Sequence, residues 1–242
     1  MVRLDKFLCD CNIGTRSQVK DLIRKGQVSV NHQTVKKADQ KISEDNDLVT
    51  VQGMPVQYRK YAYYMLNKPT GVVSATQDNT AQTVLELLKG VTDKELFPVG
   101  RLDKDTTGFL LITNDGDLAH RLLSPKKHVD KQYLVTIEHP LTEEEKVSLC
   151  TGVDIGDEEK TLPAALEILS DSQILLTIQE GRFHQVKRML KAVQNEVLAL
   201  KRVSFGPLLL DDSLEEGCFR PLTEEEIELL QNHTGKEVSH GS

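Results

Sequence analysis

Phe97-Pro98-Val99-Gly100-Arg101-Leu102-Asp103-Lys104-Asp105-Thr106-Thr107-Gly108, followed at once by Phe109-Leu110-Leu111-Ile112-Thr113, is the most unusual stretch of this 242-residue chain. A polar, charged loop with glycines at both ends runs straight into five residues that read as a buried strand. A loop anchored this way holds its carboxylate in a fixed position, which is what a catalytic acid needs. Alternation along an extended chain could place Asp103 and Asp105 on one side. The plain alternative is a solvated turn before a strand, capped by Thr106 or Thr107.

Working outward, Asn114-Asp115-Gly116 reads as a turn and Asp117 to Leu123 as a short helix stopped by Pro125. Upstream, Tyr63 to Pro69 is strand-like, and Val84, Leu85, Leu87 and Leu88 sit on a helix ended by Gly90. Downstream, Tyr133 to Ile137 is a strand and Thr142 to Cys150 a helix with a Thr142/Glu145 capping box. Ile168 to Ser170 and Ile174 to Gln179 form a hairpin around Asp171-Ser172, and His184 to Val193 is a helix. Thr223 and Glu226 open a last helix, with a flexible tail from 234 to 242. Strands mixed with helices and hairpin signals give an α+β fold with a mixed, largely antiparallel sheet and flanking helices.

The first 56 residues form a small domain of their own. Residues 3–12 read as a helix, and a second starts near Thr15, with Ser17 as its N-cap and Gly26 closing it. Val28-Ser29-Val30 and Leu48 to Val51 are strands, and 57–60 is a linker to a second domain at 61–233. The chain is acidic overall, with a net charge of −7, yet residues 1–41 carry nine Lys or Arg against four acids. Arg16, Lys20 and Arg24 fall on one face of the second helix, opposite Val19, Leu22 and Ile23, and such a face suits phosphates. A second basic group runs from Arg182 to Arg202. An acidic chain with two basic regions fits a protein that acts on RNA, and the plain alternative for the helix face is a solvated surface.

Other classes are disfavoured. No apolar run reaches membrane-spanning length, and the N-terminus lacks a signal-peptide core, so a cytoplasmic location is expected. Cys9, Cys11, Cys150 and Cys218 have no metal-binding spacing and read as free thiols, so no metal is expected. His120, His128, His139 and His184 pair with no Ser or Cys in a nucleophile motif.

The Gly100-Arg101-Leu102-Asp103 block with Thr106 and Gly108 resembles the signature of the pseudouridine synthase family that modifies ribosomal RNA. Lys131-Gln132-Tyr133 is similar to a second block of that family, and Glu180-Gly181-Arg182-Phe183-His184-Gln185-Val186-Lys187-Arg188-Met189 to a third. Residues 1–31 resemble the RNA-binding domain first seen in ribosomal protein S4, through Arg3 to Leu8, Gly14 to Gln18 and Ile23 to Asn31. Within the synthases, the His-Gln-Val-Lys-Arg-Met text looks most like the RsuA group, which acts on small-subunit rRNA. Groups acting on large-subunit rRNA usually show Arg-Gln-Ile-Arg-Arg-Met there.

The resemblance implies three catalytic residues. Asp103 acts on the ribose of a uridine, either by adding to the anomeric carbon or by removing a ribose proton. Tyr133 stacks on the uracil, and Lys187, where many relatives carry Arg, pairs with Asp103 as a buried ion pair. The expected RNA contacts are Arg3, Lys6, Arg16, Lys20, Arg24 and Lys25 in the first domain, and Arg101, Arg182, His184, Gln185 and Arg188 in the second. The target is flipped from its helix, and Arg101 is a candidate to fill the gap. The implied partner is structured ribosomal RNA or a pre-ribosomal particle, met by a monomer without a cofactor. A large-subunit rRNA synthase and a non-catalytic RNA-binding or ribosome-assembly protein remain the rivals.

Overall fold

The computed structural model describes residues 1–11, 13–44, 46–56 and 61–235. The linker expected at 57–60, and all but the first two residues of the expected tail, lie outside the described residues. Contacts divide the chain into two units, Met1–Tyr61 and Ala62–Ser242.

The first unit contains β1 (Val2–Arg3), α1 (Leu4–Asp10), α2 (Arg16–Arg24), β2 (Val28–Val30), β3 (Gln33–Thr34), β4 (Lys41–Ile42), β5 (Val49–Val51) and β6 (Met54–Val56). Strands β3, β2, β5 and β6 pair in that order, and β1 pairs with β4. Leu4, Phe7 and Leu8 of α1 and Val19 and Ile23 of α2 are buried with Val28, Val30, Ile42 and Val49 from the strands. The expected cap at Ser17 is corrected to Thr15. Thr15 Oγ1 accepts from Gln18 N, and Gln18 Oε1 accepts from Thr15 N at 2.8 Å, a reciprocal box that starts the helix earlier.

The second unit runs β7 (Tyr63–Lys68), β8 (Phe97–Pro98), β9 (Thr107–Thr113), α3 (Gly116–Leu123), β10 (Lys131–Ile137), α4 (Glu143–Thr151), β11 (Ala165–Ser170), β12 (Gln173–Ile178), α5 (Gln185–Ala192), β13 (Val197–Phe205), β14 (Leu208–Leu209), β15 (Phe219–Pro221) and α6 (Glu224–Gly235). Its sheet has the order β11-β12-β10-β13-β9-β7-β15, with β14 on β13 and β8 on β9. Neighbours are antiparallel except β9 and β13, which run parallel. The fold is therefore α+β on a mixed, largely antiparallel sheet. The helix expected after Val84 is a single 3-10 turn, Val84–Leu87. Val84 N is drawn to Val73 O, and Leu88 N closes on Leu85 O, so the chain tightens after one turn.

One face of the sheet makes the main core. Leu66, Leu110, Ile112, Val135 and Leu176 pack there with Leu149 of α4 and Val186, Met189 and Leu190 of α5. This packing holds α5 over the strands that carry the site. Gly108, φ +98°, lies opposite Arg202 in the parallel pairing of β9 with β13, and a Cβ there would stand 2.2 Å from the Arg202 carbonyl oxygen. No other residue fits that crossing.

Candidate active site

Asp103 lies in the loop between β8 and β9, as the sequence placed it. What holds the loop is the last residue of β7 and the segment after it. Lys68, fully buried, donates Nζ to the carbonyls of Asp103 at 3.0 Å, Thr106 at 2.9 Å, Pro69 at 3.1 Å and Lys104 at 3.4 Å. Burial pushes this lysine down to about 8. Ser74 grips Leu102 from both sides, donating Oγ to its carbonyl and accepting from its N–H. Gly71 N adds a bond to the Lys104 carbonyl, and the Leu102 side chain is buried in the main core. The backbone on both sides of the Asp103 carboxylate is thus fixed before any substrate arrives.

Lys187, on α5, brings its ammonium to 3.1 Å from Asp103 Oδ2 and 2.6 Å from Asp105 Oδ1. The two aspartates do meet on one side, across a shared cation. The expectation of a buried pair is corrected: Asp103 and Lys187 are each 26% exposed and Asp105 71%. Polar loop residues around Asp103 leave the pair open to the cleft. Burial works to lower the Lys187 ammonium, but its bonds to Asp105 and Asp103 outweigh that and raise it. The Lys187 hydrogen bond holds Asp105 below the usual carboxylate range. His184 also reaches the site, with Nε2 3.4 Å from Asp103 Oδ1.

A cleft of about 190 Å³ opens beside this pair. Asp103, Arg101, Tyr133, His184, Lys131 and Arg202 are among the residues that line it. Tyr133 is mostly buried on β10, where alternation turns Lys131, Tyr133 and Val135 to the same face. The Tyr133 hydroxyl has no hydrogen-bond partner among the described residues. Arg101 is exposed and makes no ion pair with a described residue.

The other expected RNA contacts divide. Arg182, Gln185 and Arg188 are committed inside the protein. Arg182 bonds Glu180, Asp157 and the carbonyls of Glu159 and Lys160. Arg188 bonds Asp157 and the carbonyls of Ile155 and Phe183. Gln185 is buried, donates to Glu180 and accepts from Arg182 N. Together they lash the Ile155–Lys160 loop to the start of α5. In the first unit, Arg3 is paired with Asp5, and Arg24 and Lys25 share Asp21. Lys6, Arg16 and Lys20 stand exposed, with no ion pair to a described residue.

Sequence reasoning missed Lys68, Ser74 and Arg202 as parts of the site, and named Lys131 only within a matched block, without a role. Lys131 is buried with Nζ on the Val129 carbonyl, and burial, then the charge of Arg202, pushes it down to about 8. Arg202 donates Nε to the Phe109 carbonyl and lies 4.9 Å over the Phe205 ring. The available signal was a cation at an inward position of an apolar strand, which a solvated-lysine habit passes over. Among the described residues no cluster of His, Cys, Asp and Glu could hold a metal ion, and no helix is long and apolar enough to cross a membrane.

Comparison with known proteins bears directly on this geometry. Residues 62–192 match the family model described as RNA pseudouridylate synthase, and residues 2–49 match the S4 domain model. A Bacillus subtilis protein named uncharacterized RNA pseudouridine synthase YtzG is 49% identical over 95% of this chain and 98% of its own. Ribosomal small subunit pseudouridine synthase A of Haemophilus influenzae is 43% identical over 95% of this chain and 99% of its own. The protein of the same name from Escherichia coli K12 is 42% identical over 93% and 98%. A crystal structure of a pseudouridylate synthase, 42% identical, superposes with a TM-score of 0.67 over 95% of this chain and 100% of its own. The clamped Asp103 loop, the matched segments and these full-length relatives agree, and the chain belongs to the RNA pseudouridylate synthase family, with an S4 domain at its N-terminus.

Proposed function

We propose that this enzyme isomerises a uridine of small-subunit 16S ribosomal RNA to pseudouridine. The observation that carries the reading is the Asp103 carboxylate, paired with Lys187 and open to a cleft that Tyr133 also lines. The small-subunit target is supported by relatives of that name at 42–43% identity over nearly the whole chain. In the reaction the bond from the anomeric carbon to N1 breaks, the uracil turns, the anomeric carbon bonds C5, C5 gives up its proton, and N1 takes one up. Nothing is oxidised and no group leaves, so the chemistry calls for positioning and charge.

On this reading Asp103 acts on the ribose and Lys187 holds it oriented. Tyr133 packs against the uracil, its hydroxyl available for the C5 proton. Arg101 occupies the space of the flipped nucleotide, and Lys6, Arg16 and Lys20 hold RNA phosphates on the first unit. The enzyme works in the cytoplasm as a monomer, on structured rRNA or a pre-ribosomal particle. Chemical mapping of pseudouridine in rRNA from cells with and without the gene tests the proposal. It expects one 16S site to vanish; a lost site in large-subunit rRNA, or none, overturns it.

A further inference from the structure

Phe183 sits between Arg182 and His184, two residues that line the cleft, and its side chain is 76% exposed. Among the large apolar side chains described, only Met1 is more open to water. The ring is not loose. It stacks on the His184 imidazole with centroids 3.8 Å apart and planes at 19°. His184 adopts φ 49° and ψ 34°, a left-handed conformation uncommon for a residue other than glycine. The turn is held from both flanks. Arg188 Nη1 donates to the Phe183 carbonyl, and Arg182 is tied to Glu180 and the Glu159 and Lys160 carbonyls. The turn aims one ring at Asp103, since His184 Nε2 lies 3.4 Å from Oδ1, and leaves the other facing water at the rim.

A single rigid ring backed by an imidazole is the size of one base, not of a protein interface. When a nucleotide is flipped out of an RNA helix, the base beside it loses a stacking partner on one face. An aromatic at the rim of the receiving cleft replaces that partner, and stacking tolerates any base because every base has a π-face. We propose that Phe183, backed by His184, is the platform on which the nucleobase adjacent to the target uridine stacks. The inference rests on the reading of this chain as an enzyme acting on uridine in RNA.

The chain has no tryptophan, so Phe183→Trp installs a single fluorescent reporter at the platform. In an Asp103→Asn background, which prevents turnover, titration with a 16S rRNA transcript should quench this emission. Leu229→Trp on α6, in the same background, should stay bright while filter binding shows the RNA bound. In the kinetic arm, Phe183→Ala and Phe183→Leu should each raise KM for the transcript roughly tenfold, the scale of one lost base stack, with a much smaller effect on kcat. Phe183→Tyr should restore KM. Absence of quenching at position 183 with RNA bound overturns the proposal, as does a Leu variant that matches wild type, which would make size and not the π-face the relevant property. The fluorescence arm reads RNA contact whether or not uridine is converted. A wild-type protein that releases no tritium from [5-³H]uridine-labelled transcript therefore marks failure of the functional reading, separately from failure of the platform.

Discussion

Replacing Lys68 by Met removes the buried donor that ties down the Asp103 loop, and its effects on stability and on activity should separate. Of the four carbonyls it serves, that of Asp103 keeps Thr106 N at 3.1 Å and that of Lys104 keeps Gly71 N at 2.8 Å. At most the carbonyls of Pro69 and Thr106 are left unpaired, at about 1–3 kcal/mol each. Against this, a lysine held at about 8 and not its ordinary 10.5 carries a charge whose burial costs about 3 kcal/mol, which the variant sheds. The two terms nearly offset, so the net destabilisation should not exceed about 3 kcal/mol. Activity has no such offset. With the loop free to shift by an ångström, kcat should fall about 100-fold.

The same lysine has a signature in pH. Below about 8 it is protonated in both states, and the full burial cost is present. Between about 8 and 10.5 the folded protein releases its proton first. The unfolded chain then binds more protons, and stability rises with pH. Lys131, also pushed to about 8 by burial, adds a rise of the same sign that the variant keeps. Urea midpoints at pH 7 and pH 9.5, with tritium-release kinetics on protein shown to be folded by circular dichroism, measure all three quantities. A folded Lys68→Met protein that keeps more than half of wild-type kcat would refute the clamp. A midpoint gain with pH equal to that of wild type would refute the burial argument.

Three further outcomes are expected. Lys187→Met should cut activity strongly and move the acid limb of the pH–rate profile, while Lys187→Arg, which keeps the charge but changes its geometry, should keep partial activity with the limb near its wild-type place; equal behaviour of the two variants would show that charge is not what matters at 187. Combined Arg16→Ala, Lys20→Ala and Arg24→Ala should flatten the slope of log affinity against log salt for rRNA. Because Arg24 already shares Asp21 with Lys25, most of that loss should come from Arg16 and Lys20, which the two single variants would reveal. Asp157→Ala frees two donors of the Arg182–Arg188 lashing, and proteolysis should then cut the Ile155–Lys160 loop faster than in wild type; an unchanged rate would deny the lashing its role.

The sequence made the site legible where chemistry was written locally. Asp103 stood out as the carboxylate of a charged, glycine-bracketed loop before an apolar strand, a pattern that a solvated turn also fits, and its role, like that of Lys187, came from the resemblance of the blocks that carry them to the synthase family. Packing that depends on distant residues was not legible. Nothing near Lys68 announces that its ammonium turns inward to carbonyls some 35 residues away, a contact made by β7 pairing with β9. The parallel pairing of β9 with β13 was hidden for the same reason, although Gly108 carries its trace. The internal partners of the third block's charges were not legible either. Arg182 and Arg188 look like phosphate contacts by composition, but most of the acids and carbonyls they bond lie 22 to 33 residues back and come close only when the chain folds. The cap at Ser17 failed on a narrower point: Gln18 three residues after Thr15 completes a box that Ser17 cannot.

The central claim is that the Asp103 carboxylate performs the chemistry, and the most direct measurement is tritium release from [5-³H]uridine-labelled 16S rRNA transcript by Asp103→Asn beside wild type, with binding of the same transcript measured in parallel. The substitution keeps the volume and removes the charge at a position whose backbone is held independently by Lys68 and Thr106. Asp103→Asn should keep wild-type affinity and folding with no detectable release. Release above a few per cent of the wild-type rate by a folded, RNA-binding Asp103→Asn protein would contradict that claim.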